Sequence, residues 1–134
     1  MRLLIQRVDR ASVIINGQTT ASIGRGFLVL CGFKKGDSPA HIRKMANKCL
    51  NLRIFEDSQR KMNLSLIDIK GEILAVSQFT LYADCRQGRR PSFEEAMLPD
   101  EAGPSYSFLI EELLQSGLRI ETGVFGAKMR VELT

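Results

Sequence analysis

Metal-ligating and nucleophile-activating side chains are scarce in this chain. Its 134 residues include one histidine, His41, and three cysteines, Cys31, Cys49 and Cys85. The cysteines lie far apart with no CxxC pair, which argues against a structural zinc site built from closely spaced ligands. Their odd number points to reduced thiols rather than a disulfide framework. Walker A, GxGxxG and GxSxG sequences are all missing, which argues against an ATPase or a dinucleotide enzyme. No apolar run approaches the roughly 20 residues of a membrane span. Gln6, Arg7, Asp9 and Arg10 interrupt the opening segment, so it does not read as a signal peptide. The expectation is a cytoplasmic protein with no membrane association.

What is present is an ordinary globular balance, 44% apolar and 25% charged, with a formal charge of +4. One domain spanning residues 1–134 is expected, since a chain of this size buries roughly two-thirds of its unfolded surface. The mild basic excess permits an anionic partner. An extended segment runs from Leu3 to Val8 and on through Ala11 to Ile15. Asn16-Gly17 then favours a type I′ turn into a return strand from Gln18 to Ile23. The run from Phe27 to Phe33 is apolar on both faces, as in a strand buried within a sheet system. Ser38 as N-cap and Pro39 at the first helical position start a helix whose apolar stripe is Ile42, Met45, Ala46 and Cys49. His41, at the border of that stripe, reads as structural.

Leu52 to Phe55 is predicted as a short strand, Glu56 to Lys61 as a polar turn, and Glu72 to Tyr82 as one long strand. A second helix is expected between Pro99 or Pro104 and Gly117, burying Tyr106, Leu109, Ile110, Leu113 and Leu114. The remainder, to Thr134, is again extended. The sum is an α/β fold of strand-rich, mixed, barrel-like sheets with two principal helices packed on one side.

Chemistry is most suggestive at the end of the long predicted strand. Ser77, Gln78 and Thr80 follow a run that is apolar on both faces, and period two sets Ser77 on one face and Gln78 and Thr80 on the other. Polar groups there line a pocket or mark where the strand enters water. Ser77 and Thr80 are the candidate hydroxyl nucleophiles, yet no general base is patterned near them. The loop from Asp84 to Pro91 gathers Arg86, Arg89 and Arg90, whose guanidinium forks suit phosphate oxygens. Lys128 and Arg130 alternate with Met129 and are expected to share a strand face. The adjacent pairs Glu94-Glu95 and Glu111-Glu112 are expected on solvated helix surface.

Four ordered blocks resemble the D-aminoacyl-tRNA deacylases: Gln6-Arg7-Val8 with Ala11-Ser12-Val13, Ser77 to Tyr82, Gly88 to Phe93, and Thr122 to Met129. The resemblance spans essentially the whole chain. It implies a homodimer that hydrolyses the ester joining a D-amino acid to the 3′-terminal adenosine of tRNA, and also acts on mischarged glycyl-tRNA. It places the active site at the dimer interface, with no cofactor, no metal and no role for DNA. Ser77, Gln78, Phe79 and Thr80 would cradle the aminoacyl group through backbone N–H groups, with Thr80 a disfavoured nucleophile. Phe125, Gly126, Ala127 and Met129 would hold the adenosine, and Arg86, Arg89 and Arg90 are candidate RNA contacts. The family pattern continues into an Asn-x-Gly-Pro-Val-Thr-type segment that rejects L-amino acids, whereas this sequence runs to Val131-Glu132-Leu133-Thr134. The alternative expectation is therefore a catalytically impaired module that binds the tRNA acceptor end.

Overall fold

Period-two alternation along two central strands decides how the layers stack. In the computed structural model, which describes residues 1–134, strands run at Arg2–Val8 (β1), Ala11–Ile15 (β2), Gln18–Ile23 (β3), Gly26–Gly32 (β4), Phe55–Glu56 (β5), Met62–Leu64 (β6), Glu72–Ser77 (β7), Ile120–Thr122 (β8) and Arg130–Leu133 (β9). The helices are Pro39–Asn51 (α1) and Pro99–Leu114 (α2). A four-stranded sheet has the order β1-β4-β7-β8, with β1 antiparallel to β4 and the other pairs parallel. An antiparallel sheet has the order β3-β2-β9, and β5 pairs with β6.

Phe27, Val29 and Cys31 of β4 and Ile73 and Ala75 of β7 point to one face, where they meet Ile42, Ala46 and Cys49 of α1 and Tyr106, Leu109 and Leu113 of α2. Leu28, Leu74 and Val76 point to the other face, against Val13, Ala21 and Ile23. Both helices thus cover one side of the mixed sheet and the antiparallel sheet covers the other. This is the expected strand-rich α/β arrangement, and it explains why β4 and β7 are apolar throughout.

Local chemistry agrees with the sequence at several element ends. Asn16 and Gly17 both take positive φ, 50° and 79°, in the β2–β3 turn. The Ser38 side chain accepts from His41 N, and His41 Nδ1 accepts in return from Ser38 N at 3.2 Å, so the lone histidine closes a capping box. Helix α2 starts at Pro99 and carries Pro104 inside it.

Elsewhere the structure corrects the sequence. Leu52, Arg53 and Ile54 lie outside any strand, and pairing begins only at Phe55, where β6 supplies a partner. Between Val8 and Ala11 the chain leaves one sheet for the other, a corner held by Asp9 N to Thr134 O at 2.8 Å and Thr134 N to Arg10 O at 3.0 Å. Lys128 and Met129 precede β9, so only Arg130 belongs to it, although Lys128 and Arg130 are both exposed with Met129 half-buried between them. Glu94 and Glu95 sit in a turn before α2. Glu112 is partly buried and pairs with Arg43 of α1 at 3.4 Å. Leu114, expected in the core, is 51% exposed because α2 ends there.

Removing the capping hydroxyl with Ser38→Ala should lower the unfolding free energy by about 1 kcal/mol. Urea denaturation would read this as a lower midpoint at unchanged slope, and no change in midpoint would mean that the box contributes nothing.

Candidate functional site

Strand β7 ends where its partner ends. Ser77 pairs with Cys31, and Gln78 N donates to Cys31 O at 2.8 Å as the last bond of that edge. Gln78 then leaves the strand conformation (φ −148°, ψ 87°), and Phe79–Tyr82 form a 3₁₀ turn. Gly32 makes room for it: a Cβ there would lie 2.9 Å from Leu81 Cβ and 3.1 Å from Gln78 O. The expected single strand from Glu72 to Tyr82 is therefore a strand followed by a turn, and the predicted alternation of Ser77, Gln78 and Thr80 stops at Ser77. Leu81 N donates to Gln78 O at 3.3 Å, while no side chain caps the turn. The amides of Phe79 and Thr80 precede that bond, as the first N–H groups of any helical turn do.

A cleft of about 700 Å³ opens beside this turn. The mixed sheet contributes Leu28, Leu30, Val76, Ser77 and Gln78; the approach to α2 contributes Phe93, Met97 and Leu98; and the segment leading into β9 contributes Phe125, Gly126, Ala127 and Met129. Seven of the eight residues expected in the site are thus brought together. Thr80 is the exception. It is exposed beyond the cleft lining, and its hydroxyl accepts a hydrogen bond from the Gln78 amide. Phe79 and Phe93 pack edge to face at the mouth, with ring centroids 5.1 Å apart.

No Asp, Glu, His, Lys or Arg lines the cleft. Its one titratable group is the Cys31 thiol, which burial holds far above the ordinary thiol range. In the same core, burial pushes Cys49 up to about 12. A thiol kept protonated in this way is neither nucleophile nor base at neutral pH. The cleft therefore offers shape, apolar walls, two side chains with amide or hydroxyl groups at one end, and unpaired backbone donors.

The far wall is built by a tight turn. Ala127 N donates to Val124 O at 3.1 Å, and Gly126 takes φ 76°, the conformation that favours glycine at the third position of such a turn. Gly123 N donates to Ala75 O at 2.9 Å, and a Cβ on Gly123 would lie 2.6 Å from Met129 Sδ. The basic loop is closed differently. Asp84 and Ser92 exchange backbone bonds of 2.8 and 2.9 Å, and Arg86 grips Asp84 through Nε at 2.9 Å and a terminal nitrogen at 2.6 Å. The Arg86 bonds hold the Asp84 carboxyl down at about 2. Arg86 is thereby committed within the loop, whereas Arg89 and Arg90 are exposed and join no ion pair.

Several lining residues escaped sequence reading, among them Gln6, Leu30, Met97, Leu98 and Leu133. They are apolar or neutral residues on separate segments. The one readable signal was Leu98, a large apolar residue at an N-cap position where Ser, Thr, Asp or Asn is favoured; it is 59% exposed.

A mixed sheet that ends in a 3₁₀ turn over an uncharged cleft sets the class of fold: a strand-rich α/β domain with an apolar pocket at the end of its central strands. Comparison with known proteins makes the assignment specific. The sequence model of the D-Tyr-tRNA(Tyr) deacylase family matches residues 4–134, and the chain belongs to that family. It is 52% identical over 133 residues to a D-aminoacyl-tRNA deacylase of Geobacillus sp. (strain WCH70), covering 99% of this chain and 88% of the relative. It is also 52% identical over 131 residues to one from Aquifex aeolicus (strain VF5), covering 98% and 88%. A solved structure described as c-Myc DNA Unwinding Element Binding Protein superposes with a TM-score of 0.94 at 40% identity, covering 100% of this chain and 91% of that one. A structure described as a probable eukaryotic D-amino acid tRNA deacylase gives 0.85 at 17% identity, a likeness of fold.

Exposure and burial separate the three thiols. In the folded protein dithionitrobenzoate should titrate Cys85 alone, with Cys31 and Cys49 reacting only after unfolding. Rapid reaction of a second thiol in the native state would show that the cleft floor is open to nucleophile chemistry.

Proposed function

We propose that this protein hydrolyses the ester joining a D-amino acid to the 3′-terminal adenosine of tRNA, and likewise glycine mischarged onto tRNA, as a quality-control step of translation. The observation that carries this reading is the free first amide of the 3₁₀ turn, on the lining residue Phe79, beside a cleft that holds no ionisable side chain except an inert thiol. An aminoacyl ester is already activated, so positioning and oxyanion stabilisation can accelerate its hydrolysis without a side-chain base. One oxyanion donor is worth on the order of 10²–10³ in rate.

In this reading water adds to the acyl carbon and the carbonyl oxygen becomes an oxyanion facing the free amide end of the 3₁₀ turn. The bond to the ribose oxygen then breaks, that oxygen takes a proton, and a free amino acid and intact tRNA leave. The vicinal ribose hydroxyl assists the water. Phe125, exposed on the far wall, stacks on the terminal adenine, a contact worth about 1–3 kcal/mol. The alternative of a catalytically impaired acceptor-end binder is not favoured, given relatives named as deacylases at 52% identity.

The protein acts as a homodimer in this proposal. Exposed Phe79, Leu98, Val124 and Leu133 rim or adjoin the cleft, an apolar concentration that a second copy would cover. We place it in the cytoplasm, with residues 1–134 working as one domain. No helix is long and apolar enough to cross a membrane.

Release of D-tyrosine from D-tyrosyl-tRNA tests the activity directly, and a rate equal to spontaneous hydrolysis would end the proposal. Thr80→Ala should lose less than tenfold in single-turnover deacylation, since its hydroxyl lies outside the cleft and has no base. A fall to background with the fold intact would restore Thr80 as nucleophile. A salt series resolves the basic loop. Replacing both Arg89 and Arg90 with Ala should lower the log–log salt slope of tRNA affinity by about 1.4–1.8, at roughly 0.7–0.9 per phosphate contact. An unchanged slope would remove both residues from the RNA surface. Arg86→Ala should alter the slope little, because that guanidinium is spent on Asp84.

A further inference from the structure

The carbonyl of Ala75 is a junction. It lies on β7 two residues before Ser77, is fully buried, and accepts two hydrogen bonds at 2.9 Å. One comes from Gly123 N, the amide that starts the Phe125 turn. The other comes from the phenol of Tyr106, reaching across from α2. Carbonyl oxygens have two lone pairs, and here one is taken by the segment leading into the Phe125 turn and the other by α2.

Tyr106 makes a second contact with the same turn. Its ring centroid lies 5.9 Å from that of Phe125, inclined by 38°. One helical turn earlier, Gly103 presents no side chain; a Cβ there would already touch the Phe125 ring at 3.6 Å. Phe125 therefore rests in a seat on α2 whose floor is Gly103 and whose wall is the Tyr106 ring. Tyr106 is buried, with no path to solvent for its hydroxyl, and it does not line the cleft.

We infer that Tyr106 is a positioning residue: its hydroxyl on Ala75 O fixes the ring on which Phe125 rests, and so sets the plane offered to the terminal adenine. This rests on the reading of the cleft as a site for an aminoacylated 3′-terminal adenosine. The contact is remote from the ester, so its energy appears in ground-state and transition-state binding alike.

The test is a double-mutant cycle of Tyr106→Phe and Phe125→Ala, read on KM and kcat for D-tyrosyl-tRNA and on the Kd of adenosine 5′-monophosphate by chemical-shift titration. Tyr106→Phe keeps the ring and leaves Ala75 O its bond to Gly123 N, so an unchanged circular dichroism spectrum is expected. KM and Kd should each rise about threefold or more with kcat within twofold. In the Phe125→Ala background the same substitution should change neither, because contacting residues on one path are not additive. Additive effects, a fall in kcat at constant KM, or no effect in either background would each overturn the proposal. If the wild-type protein hydrolyses no aminoacyl-tRNA but the cycle on nucleotide binding holds, the deacylase reading fails and the Tyr106 assignment stands. Absence of nucleotide binding by the wild-type protein would remove the assignment as well.

Discussion

The cleft depends on one constraint, the loss of a sheet partner at Gly32. While β4 runs alongside, β7 is held in register from Glu72 to Ser77 and is apolar on both faces. Where β4 ends, Gln78 makes one last bond to Cys31 O and the chain turns over the Cα of Gly32. A strand that simply continued would have had to satisfy its amides in solvent. The turn leaves its first amides unpaired instead, that of Phe79 beside an apolar hollow. An unpaired donor beside apolar walls is costly for stability and useful for binding a developing negative charge. The same local event therefore shapes the pocket and supplies its polar function.

The electrostatic character of the cleft follows from its surroundings. Core strands line its floor, so a charged group there would need a partner or lose its charge, and the thiol of Cys31 has done the latter. Charge is kept to the periphery, where Arg86 and Asp84 brace a loop and Arg89 and Arg90 remain unengaged. This division suits a polyanionic ligand with a small reactive end. In the proposed function, long-range attraction acts on phosphates outside, while the ester enters a region where each hydrogen bond is strengthened by exclusion of water.

Features settled by short-range chemistry were legible in the sequence. Asn16-Gly17 and Ser38-Pro39 each act within a few residues, and the turn and cap formed where they stand. The alternating and continuous apolar runs likewise located β1 to β4 and the main face of α1. The break at Gln78 was not legible, because Phe-Thr-Leu-Tyr has strong strand propensity and the reason to turn lies in Gly32, a residue 46 positions earlier. Leu52 to Ile54 failed for the same reason in reverse: strand-like residues without a neighbouring strand stay unpaired. Seven of the eight residues named on the motif resemblance line one cleft, yet Met97 and Leu133 could not be read as lining because only tertiary packing brings their segments to it.

That tertiary packing also decides how binding and chemistry can cooperate in so small a fold. The Phe125 wall and the 3₁₀ turn come from segments almost fifty residues apart. Both are tied to the last buried stretch of β7, the turn by the chain itself and the wall through the carbonyl of Ala75. Helix α2 braces that wall from behind, since Tyr106 holds the strand with its hydroxyl and packs against the Phe125 ring with its own. A hydroxyl pointed at a carbonyl that already has a ladder bond adds little to the sheet. Its effect lies in joining the helix, the strand end and the Phe125 turn into one frame.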